Sequence, residues 1–192
     1  MKHNGPCGTL RRRALRSLAL LAFWLPQATM LQAADTASRE YQIKAAFLYN
    51  FTKFVEWPAS SFASDNSPII IGTYCADPFA DELAAIVAGR KVYNRPIAVR
   101  KLGSGEEARS AHLVFVCADN DARVGSIESA VGRQPVLTVG ESDTFDAAGG
   151  IIRFVAENDK IRFEINADAA AHAGIRISAQ LQKLARAVRE QP

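Results

Sequence analysis

The chain is poor in the residues that build disulfide-rich or metal-rich proteins. It has three cysteines and three histidines in 192 residues, which excludes a small scaffold held together by several disulfides. Hydrophobic residues make up 48% and charged residues 22% of the chain, so a disordered or low-complexity polypeptide is excluded as well. The length suits one ordinary domain and is too short for two well-buried ones.

A long apolar run is also missing. The stretch 18–25 is apolar and ends at a proline, and eight residues cannot cross a bilayer core, which needs about 20. It follows the segment Lys2–Arg16, which holds five basic residues and no acidic one, and it precedes small residues at Ala33 and Ala34. This order predicts a signal peptide over residues 1–34 that is cleaved near those alanines, with the mature protein in the periplasm.

The positive net charge depends on that first segment. Its five basic residues are part of 23 in the chain, and without them 18 basic residues face 20 acidic ones. The mature chain is then slightly acidic, with a net charge of −2. Nucleic-acid binding therefore loses its electrostatic basis.

Strand and helix patterns alternate through most of the chain. A helix is predicted from Ser38, as its cap, to Glu56, because apolar residues recur there at spacings of three and four. The predicted strands that follow are residues 69–75, 97–102, 112–117 and 135–139, with helices at 78–87 and 123–131 and a helical turn at 106–109. Strands that alternate with helices indicate a parallel sheet, for which the common doubly wound order is 2-1-3-4.

The alternation stops near the C-terminus. Residues 151–155 and 160–165 are predicted to form an antiparallel hairpin. Asn166 or Asp168 is expected to cap a helix that Gly174 ends, and a last helix is expected from Ser178. The predicted buried stripe of that last helix comprises Ile177, Leu181, Leu184 and Val188. The fold class is thus α/β, a single three-layer domain over residues 35–192 with a mostly parallel sheet, this hairpin and flanking helices.

Two cysteines remain after export, Cys75 and Cys117. They end the first and third predicted strands, which are neighbours in the order 2-1-3-4, so both lie at one edge of the sheet about one strand spacing apart. An even pair in an oxidising compartment predicts one disulfide. The alternative is two free buried thiols.

Signals for catalysis are weak. Residues 103–108 (GSGEEA) imitate a dinucleotide-binding loop, but they follow the second strand and place two glutamates where a pyrophosphate would lie. His112 and His172 are far apart in sequence and predict no metal site. The sequence therefore predicts no enzyme, no cofactor and no metal. Polar residues around the hairpin and the final helices, Glu164, Asn166 and Arg176, favour binding instead.

Several segments resemble one known family. Residues 41–58 (YQIKAAFLYNFTKFVEWP) closely resemble the opening signature of the YfiR family of periplasmic bacterial proteins. The segments 149–154 (GGIIRF), 162–166 (RFEIN), 173–178 (AGIRIS) and 184–186 (LAR) resemble later parts of the same family. The resemblance covers about residues 40–188.

The resemblance implies a regulatory function. Proteins of this family repress a membrane-bound diguanylate cyclase by binding its periplasmic sensor part. Release through an outer-membrane lipoprotein partner, under redox or envelope stress, raises cyclic di-GMP and favours biofilm. The resemblance also implies a homodimer. A periplasmic small-molecule-binding or redox-sensing protein is the competing interpretation.

The resemblance assigns roles to individual residues. Ile152, Glu164 and Ala170 match positions that contact the partner. Arg176 matches a position that lines a small-molecule pocket, and Ser178 replaces the family's neighbouring histidine there. The predicted disulfide matches the structural disulfide of the family. A second cysteine pair, which some members carry in the segment that matches residues 145–152, is absent from this sequence.

Overall fold

The fold was analysed in a computed structural model, which describes the backbone of residues 27–189 and the side chains of residues 38–189 other than that of residue 77. Residues 1–26 of the predicted signal peptide lie outside the described residues, and the cleavage of this peptide stays a prediction. Contacts divide the chain into Met1–Arg39 and Glu40–Pro192. The sheet, the cores and the sites described below lie in the second unit.

Seven α-helices and ten strands are present in the described residues. The helices are α1 (Gln27–Phe54), α2 (Asp77–Val87), α3 (Gly105–Ala108), α4 (Val124–Val131), α5 (Asp143–Ala147), α6 (Ala167–His172) and α7 (Ala179–Leu184). The strands are β1 (Val55–Glu56), β2 (Ile69–Tyr74), β3 (Lys91–Val92), β4 (Arg95–Lys101), β5 (Leu113–Val116), β6 (Leu137–Gly140), β7 (Ile152–Glu157), β8 (Lys160–Asn166), β9 (Arg176–Ile177) and β10 (Ala187–Arg189).

Eight strands form one sheet in the order β10-β8-β7-β6-β5-β2-β4-β3. The four strands that were predicted to be parallel are β2, β4, β5 and β6, and they pair in parallel as β4-β2-β5-β6. This confirms the predicted order 2-1-3-4. The predicted hairpin is also confirmed, because β7 and β8 pair antiparallel. A second small sheet pairs β1 with β9.

The sheet separates two apolar cores, as a three-layer architecture requires. Successive side chains of a strand point to opposite faces, so Leu113 and Phe115 of β5 join the core beneath α1 and α2, whereas Val114 and Val116 join the core beneath α3, α4 and α5. All four side chains are almost completely buried. This burial on both faces explains why the central strands are uninterrupted apolar runs.

The helix boundaries differ from the prediction at both ends of the chain. Helix α1 passes through Ser38 instead of being capped there, because no glycine or proline interrupts residues 27–39. The last helix ends at Leu184, and β10 follows it, parallel to β8. The predicted buried stripe is therefore wrong for Leu184 and Val188, which are 61% and 37% exposed. Apolar residues at helical spacing do not reveal that the chain leaves the helix and pairs with β8, which is distant in sequence.

Besides β10, the short elements β1, β3, β9 and α5 were not predicted, and α5 and β3 show why. Helix α5 is capped by Ser142, whose Oγ accepts a hydrogen bond from the Phe145 N–H. Strand β3 turns into β4 through Tyr93 and Asn94, whose φ values of 51° and 64° match the tight hairpin turn that leaves two residues between strands. Both elements are too short to produce a periodic pattern.

Candidate functional site

The hairpin β7–β8 lies directly against α1. Phe154 and Phe163 are opposite each other in the hairpin, and the Phe51 ring lies 5.8 Å and 5.1 Å from theirs, centroid to centroid. Phe47, one helical turn before Phe51, contacts the same two rings at 5.8 Å and 5.7 Å. The two segments that carry the sequence resemblance, the α1 region and the hairpin, therefore pack on each other.

The other face of the hairpin carries a charged cluster centred on Glu164. Its Oε2 lies 2.8 Å from Nη2 of Arg153, the residue opposite it on β7, and its Oε1 lies 3.2 Å from Nη1 of Arg186. Arg153 also pairs with Asp143, and Arg186 pairs with Glu157 at 3.2 Å. The hydrogen bond to Glu164 raises the pKa of the Arg153 guanidinium. Because the side chain of Glu164 is only 11% exposed, it positions the two arginines rather than presenting itself to solvent.

A second ion pair joins β10 to α5. Arg189 donates from Nη1 to Oδ2 of Asp146 at 2.6 Å, and this hydrogen bond lowers the pKa of the Asp146 carboxyl. Asp143 of the same helix has a side chain that is 97% exposed. The outer part of the charged cluster, defined as Asp143, Glu157, Arg186 and Arg189, is therefore open to solvent and mixes both signs of charge.

The other two predicted contact residues are interior. Ile152 is fully buried and Ala170 is 3% exposed, and both belong to the core beneath α1. Asn166 caps α6, as one of the two predicted alternatives, by accepting a hydrogen bond from the Ala169 N–H at 3.0 Å. Both side chains support the hairpin and α6 from within the core, and partner contact at these two positions stays a prediction.

Arg176 and Ser178 have separate structural roles. The Arg176 side chain is 87% exposed and lies 3.5 Å from the Glu56 carboxylate on the neighbouring strand. The Ser178 Oγ accepts a hydrogen bond from the Leu181 N–H and caps α7, while the Ser178 N–H donates to the Phe54 carbonyl at 2.9 Å. The two side chains contact different partners, and a ligand site at these residues stays a prediction.

Cys75 and Cys117 are joined by a disulfide across the carboxyl edge of the sheet. Their Cα atoms are 5.2 Å apart, and 42 positions separate them in sequence. They directly follow β2 and β5, which are neighbouring parallel strands. The bond lies at the edge of the sheet from which the chain continues into α2 after β2 and towards α4 after β5.

A buried lysine at the same edge was missed by the sequence analysis. Nζ of Lys44, on α1, lies 2.6 Å from Oε1 of Glu141, which follows β6, and also pairs with Glu40. Burial lowers the pKa of Lys44, but hydrogen bonds to Glu141 and Glu40 outweigh it and raise the pKa overall. The sequence could have indicated this ion pair, because Lys44 lies on the same helical face as Tyr41 and Leu48. A lysine on an apolar face needs a buried partner of opposite charge.

Two other titratable groups are largely buried. His112 accepts a hydrogen bond at Nδ1 from the Ile70 N–H and faces the Ser61 carbonyl with Nε2; burial lowers its pKa. Its ring stacks on the Phe62 ring, with 4.5 Å between the centroids. The pKa of Glu128 is raised to about 7 because burial outweighs a hydrogen bond with Thr138, which lowers the pKa. Oε1 of Glu128 is buried without a hydrogen-bond partner.

The glutamates of the segment 103–108 are occupied by local contacts. Glu107 accepts a hydrogen bond from the Gly103 N–H, and Glu106 pairs with Arg109. The Gly103 carbonyl accepts a hydrogen bond from Arg123, so residues 103–108 form a turn that is bonded within itself and to the segment before α4. Within the described part of the chain, no group of three or more His, Cys, Asp or Glu side chains could hold a metal ion. No helix among the described residues is long and apolar enough to cross a membrane.

The described residues form a three-layer α/β protein with a disulfide at the edge of its sheet and charged clusters on its surface. The chain belongs to the YfiR/HmsC-like family, whose model matches residues 41–186. This is a regulatory family, associated with diguanylate cyclase signalling and with the periplasm. No curated protein matches the chain.

Two solved structures show distant similarity. One is a conserved domain protein from Vibrio cholerae O1 biovar El Tor, with 14% identity, a TM-score of 0.44, and coverage of 63% of this chain and 55% of that one. The other is an ABC domain in complex with L-Trp from Streptococcus pneumoniae, with 14% identity, a TM-score of 0.44, and coverage of 68% and 57%. The chain spans little more than half the length of these two proteins.

Proposed function

We propose that this chain is a periplasmic regulatory protein that binds the periplasmic sensor part of a membrane-bound diguanylate cyclase and represses it, which controls cyclic di-GMP and biofilm formation. The observation that carries the proposal is the family match across residues 41–186. Repression requires that the protein bind the inactive sensor more tightly than the active one. Homodimerisation and contact with an outer-membrane lipoprotein belong to the same proposal.

The outer charged cluster is the part of the hairpin region best suited to contact the sensor. Charged groups at the rim of an interface give specificity and speed association, and Asp143 and Arg186 are exposed while Ile152 and Ala170 are not. Glu164 holds Arg153 and Arg186 in place beneath this surface. The proposed contact therefore includes the exposed charged side chains around the three residues that the resemblance implied.

Charge reversal at Asp143 tests this contact. Asp143→Lys changes a carboxylate that is 97% exposed and pairs with Arg153. Exposed ion pairs contribute at most about 1 kcal/mol, so the protein should still fold and should lose repression. Glu106→Lys is the matched control, because it also reverses an exposed carboxylate that pairs with one arginine. Cyclic di-GMP is measured in a deletion strain that expresses its native cyclase and is complemented with each variant.

The outcomes separate the function from the interface. Deletion should raise cyclic di-GMP, and the unaltered chain and Glu106→Lys should restore the low level, whereas Asp143→Lys should not. An unchanged cyclic di-GMP level in the deletion strain would contradict repression itself. Full restoration by Asp143→Lys would only place the interface elsewhere on the surface.

A specific cavity supports the competing function of small-molecule binding. It has a volume of about 380 Å³ and lies between α1, β8 and α7, with a mostly apolar wall that includes Phe47, Phe163 and Leu184. Leu184 is 61% exposed, which leaves apolar surface uncovered at its mouth. Titration calorimetry with small apolar carboxylates, compared between the unaltered chain and Leu184→Glu, tests this alternative.

A further inference from the structure

The β3 end of the sheet gathers cations that have no carboxylate partner. This basic edge consists of Lys53 at the end of α1, Arg90 and Lys91 at the start of β3, and Arg95 at the start of β4. None of the four is in an ion pair among the described residues. By contrast, Arg153, Arg186 and Arg189 at the opposite end of the sheet are all paired with carboxylates.

An aromatic ring holds two of these cations in place. Nζ of Lys53 lies 4.0 Å and Cζ of Arg90 lies 4.8 Å from the centroid of the Tyr49 ring. A cation–π contact orders a cation without neutralising it. Lys53 and Arg90 are thus brought together with their charges uncompensated, an arrangement that repels unless an anion joins it.

The third cation of the edge is fixed in the same way. Cζ of Arg95 lies 3.8 Å from the centroid of the Phe62 ring, and its Nη1 donates to the carbonyls of Ser64 and Ser67. Asp65 lies between those two serines and is exposed. Asp65 is not in an ion pair with Arg95 among the described residues, so the contacts that hold Arg95 leave its charge in place.

The turn of the β3–β4 hairpin adds an exposed aromatic side chain. Tyr93 is 64% exposed, and its hydroxyl donates to the Lys53 carbonyl at 2.7 Å. Its φ of 51° is rare for an aromatic residue, since positive φ favours glycine and asparagine. Tyrosine rings flanked by lysine and arginine are characteristic of proteins at the headgroup level of a membrane.

We infer that the basic edge docks the protein on an anionic phospholipid surface through the phosphates of the lipid headgroups. A lipid surface fits better than an acidic peptide for two reasons. The cations lie on or beside the β3–β4 hairpin and do not line the apolar cavity between α1, β8 and α7, and an exposed tyrosine ring gains from a membrane interface rather than from a carboxylate. This inference concerns the chain alone and does not depend on a cyclase.

Vesicle sedimentation with the processed protein tests the inference. The vesicles are phosphatidylcholine alone or with about 30% phosphatidylglycerol, at low salt because surface charges are screened over about 10 Å at 0.1 M ionic strength. Each cation near an anionic membrane contributes roughly a fivefold factor in affinity. The triple variant Lys53→Gln, Arg90→Gln, Lys91→Gln should therefore bind about a hundredfold more weakly.

A matched control removes the same charge elsewhere. Arg133→Gln, Lys160→Gln, Lys183→Gln changes three exposed cations far from the basic edge in sequence, and it should retain most of the binding. Lys91→Glu alone, at an exposed residue, repeats the test should the triple variant fold poorly. Tyr93→Asn, which suits the positive φ, should weaken binding several-fold without changing the net charge.

Three results would overturn the inference. The first is equal binding to vesicles with and without phosphatidylglycerol. The second is an equal loss in the two triple variants, which would mean that only the total charge matters. The third is binding of a polyglutamate peptide that depends on the basic edge while vesicles are not bound, which would identify an acidic protein partner instead.

Discussion

The buried pair of Lys44 and Glu141 gives a stability prediction that can be worked out from the structure. Their side chains are 9% and 13% exposed. Removing one member of a buried ion pair leaves a charge without compensation and typically costs about 3–5 kcal/mol. Lys44→Met keeps most of the side-chain volume and removes the charge. We expect the free energy of unfolding to fall by about 3 kcal/mol, at the lower end because the Glu141 Oε2 still accepts from the Ala118 N–H.

Two further variants, Glu141→Gln and the double variant, complete a double-mutant cycle with Lys44→Met. Glu141→Gln leaves Lys44 with Glu40, whose side chain is 45% exposed, and should cost about 1–2 kcal/mol. The double variant leaves neither charge at the contact with Glu141, so it should lose less than the two single losses added together.

Thermal and urea unfolding measure the effect. A loss of about 3 kcal/mol lowers Tm by about 6–12 °C in a domain of this size. Lys183→Met is the control, because it makes the same change at an exposed lysine of α7 and should alter the stability by less than about 0.5 kcal/mol. Strict additivity in the cycle, or a Lys44→Met loss as small as that of the control, would refute the reasoning.

Three further predictions concern buried or bonded groups. Cys75→Ser opens a closed loop and should cost about 2–4 kcal/mol, seen as a Tm lower by several degrees and equal to that of the double serine variant; an unchanged Tm would contradict it. Glu128 has a folded pKa of about 7, above its unfolded value, so the folded chain binds more protons and its stability falls as the pH rises from about 4.5 to 7. Glu128→Gln should therefore stabilise the protein by about 3 kcal/mol at pH 8 and hardly at all at pH 4, whereas an equal gain at both values would be contrary to this account. Glu164→Lys places a third cation beside Arg153 and Arg186 and should destabilise the fold by about 3–5 kcal/mol, with Glu164→Gln markedly milder in urea unfolding.

The order of the central strands was predictable because it rests on strong local signals. Strands buried on both faces must be continuous apolar runs, and Ile69–Tyr74 and Leu113–Val116 stand out among the helical patterns that flank them. The connections between them then leave few arrangements for a parallel sheet. The hairpin was predictable from its turn, where Asn158 and Asp159 adopt positive φ.

The edges of the sheet were not predictable in this way. Strand β10 has three residues and pairs with β8, more than 20 positions earlier, so its partner is set by tertiary packing and not by its own sequence. Leu184 and Val188 keep helical spacing even though the chain is no longer helical between them. The burial of a single residue also depends on residues that are distant in sequence. The sequence analysis identified Glu164 as polar and near an edge, but only the structure shows the two arginines that enclose it.

The disulfide has a consequence for how this protein can recognise anything. In doubly wound sheets, ligands enter the crevice at the topological switch point, where the chain's path reverses direction across the sheet. Here the switch point lies between β2 and β5. Cys75 directly follows β2, and Cys117 directly follows β5. The covalent bond spans that crevice, and Lys44 and Glu141 are paired at the same edge. The entrance that related architectures offer to nucleotides is thus crossed by a covalent bond, and we expect recognition by this chain to take place elsewhere on its surface.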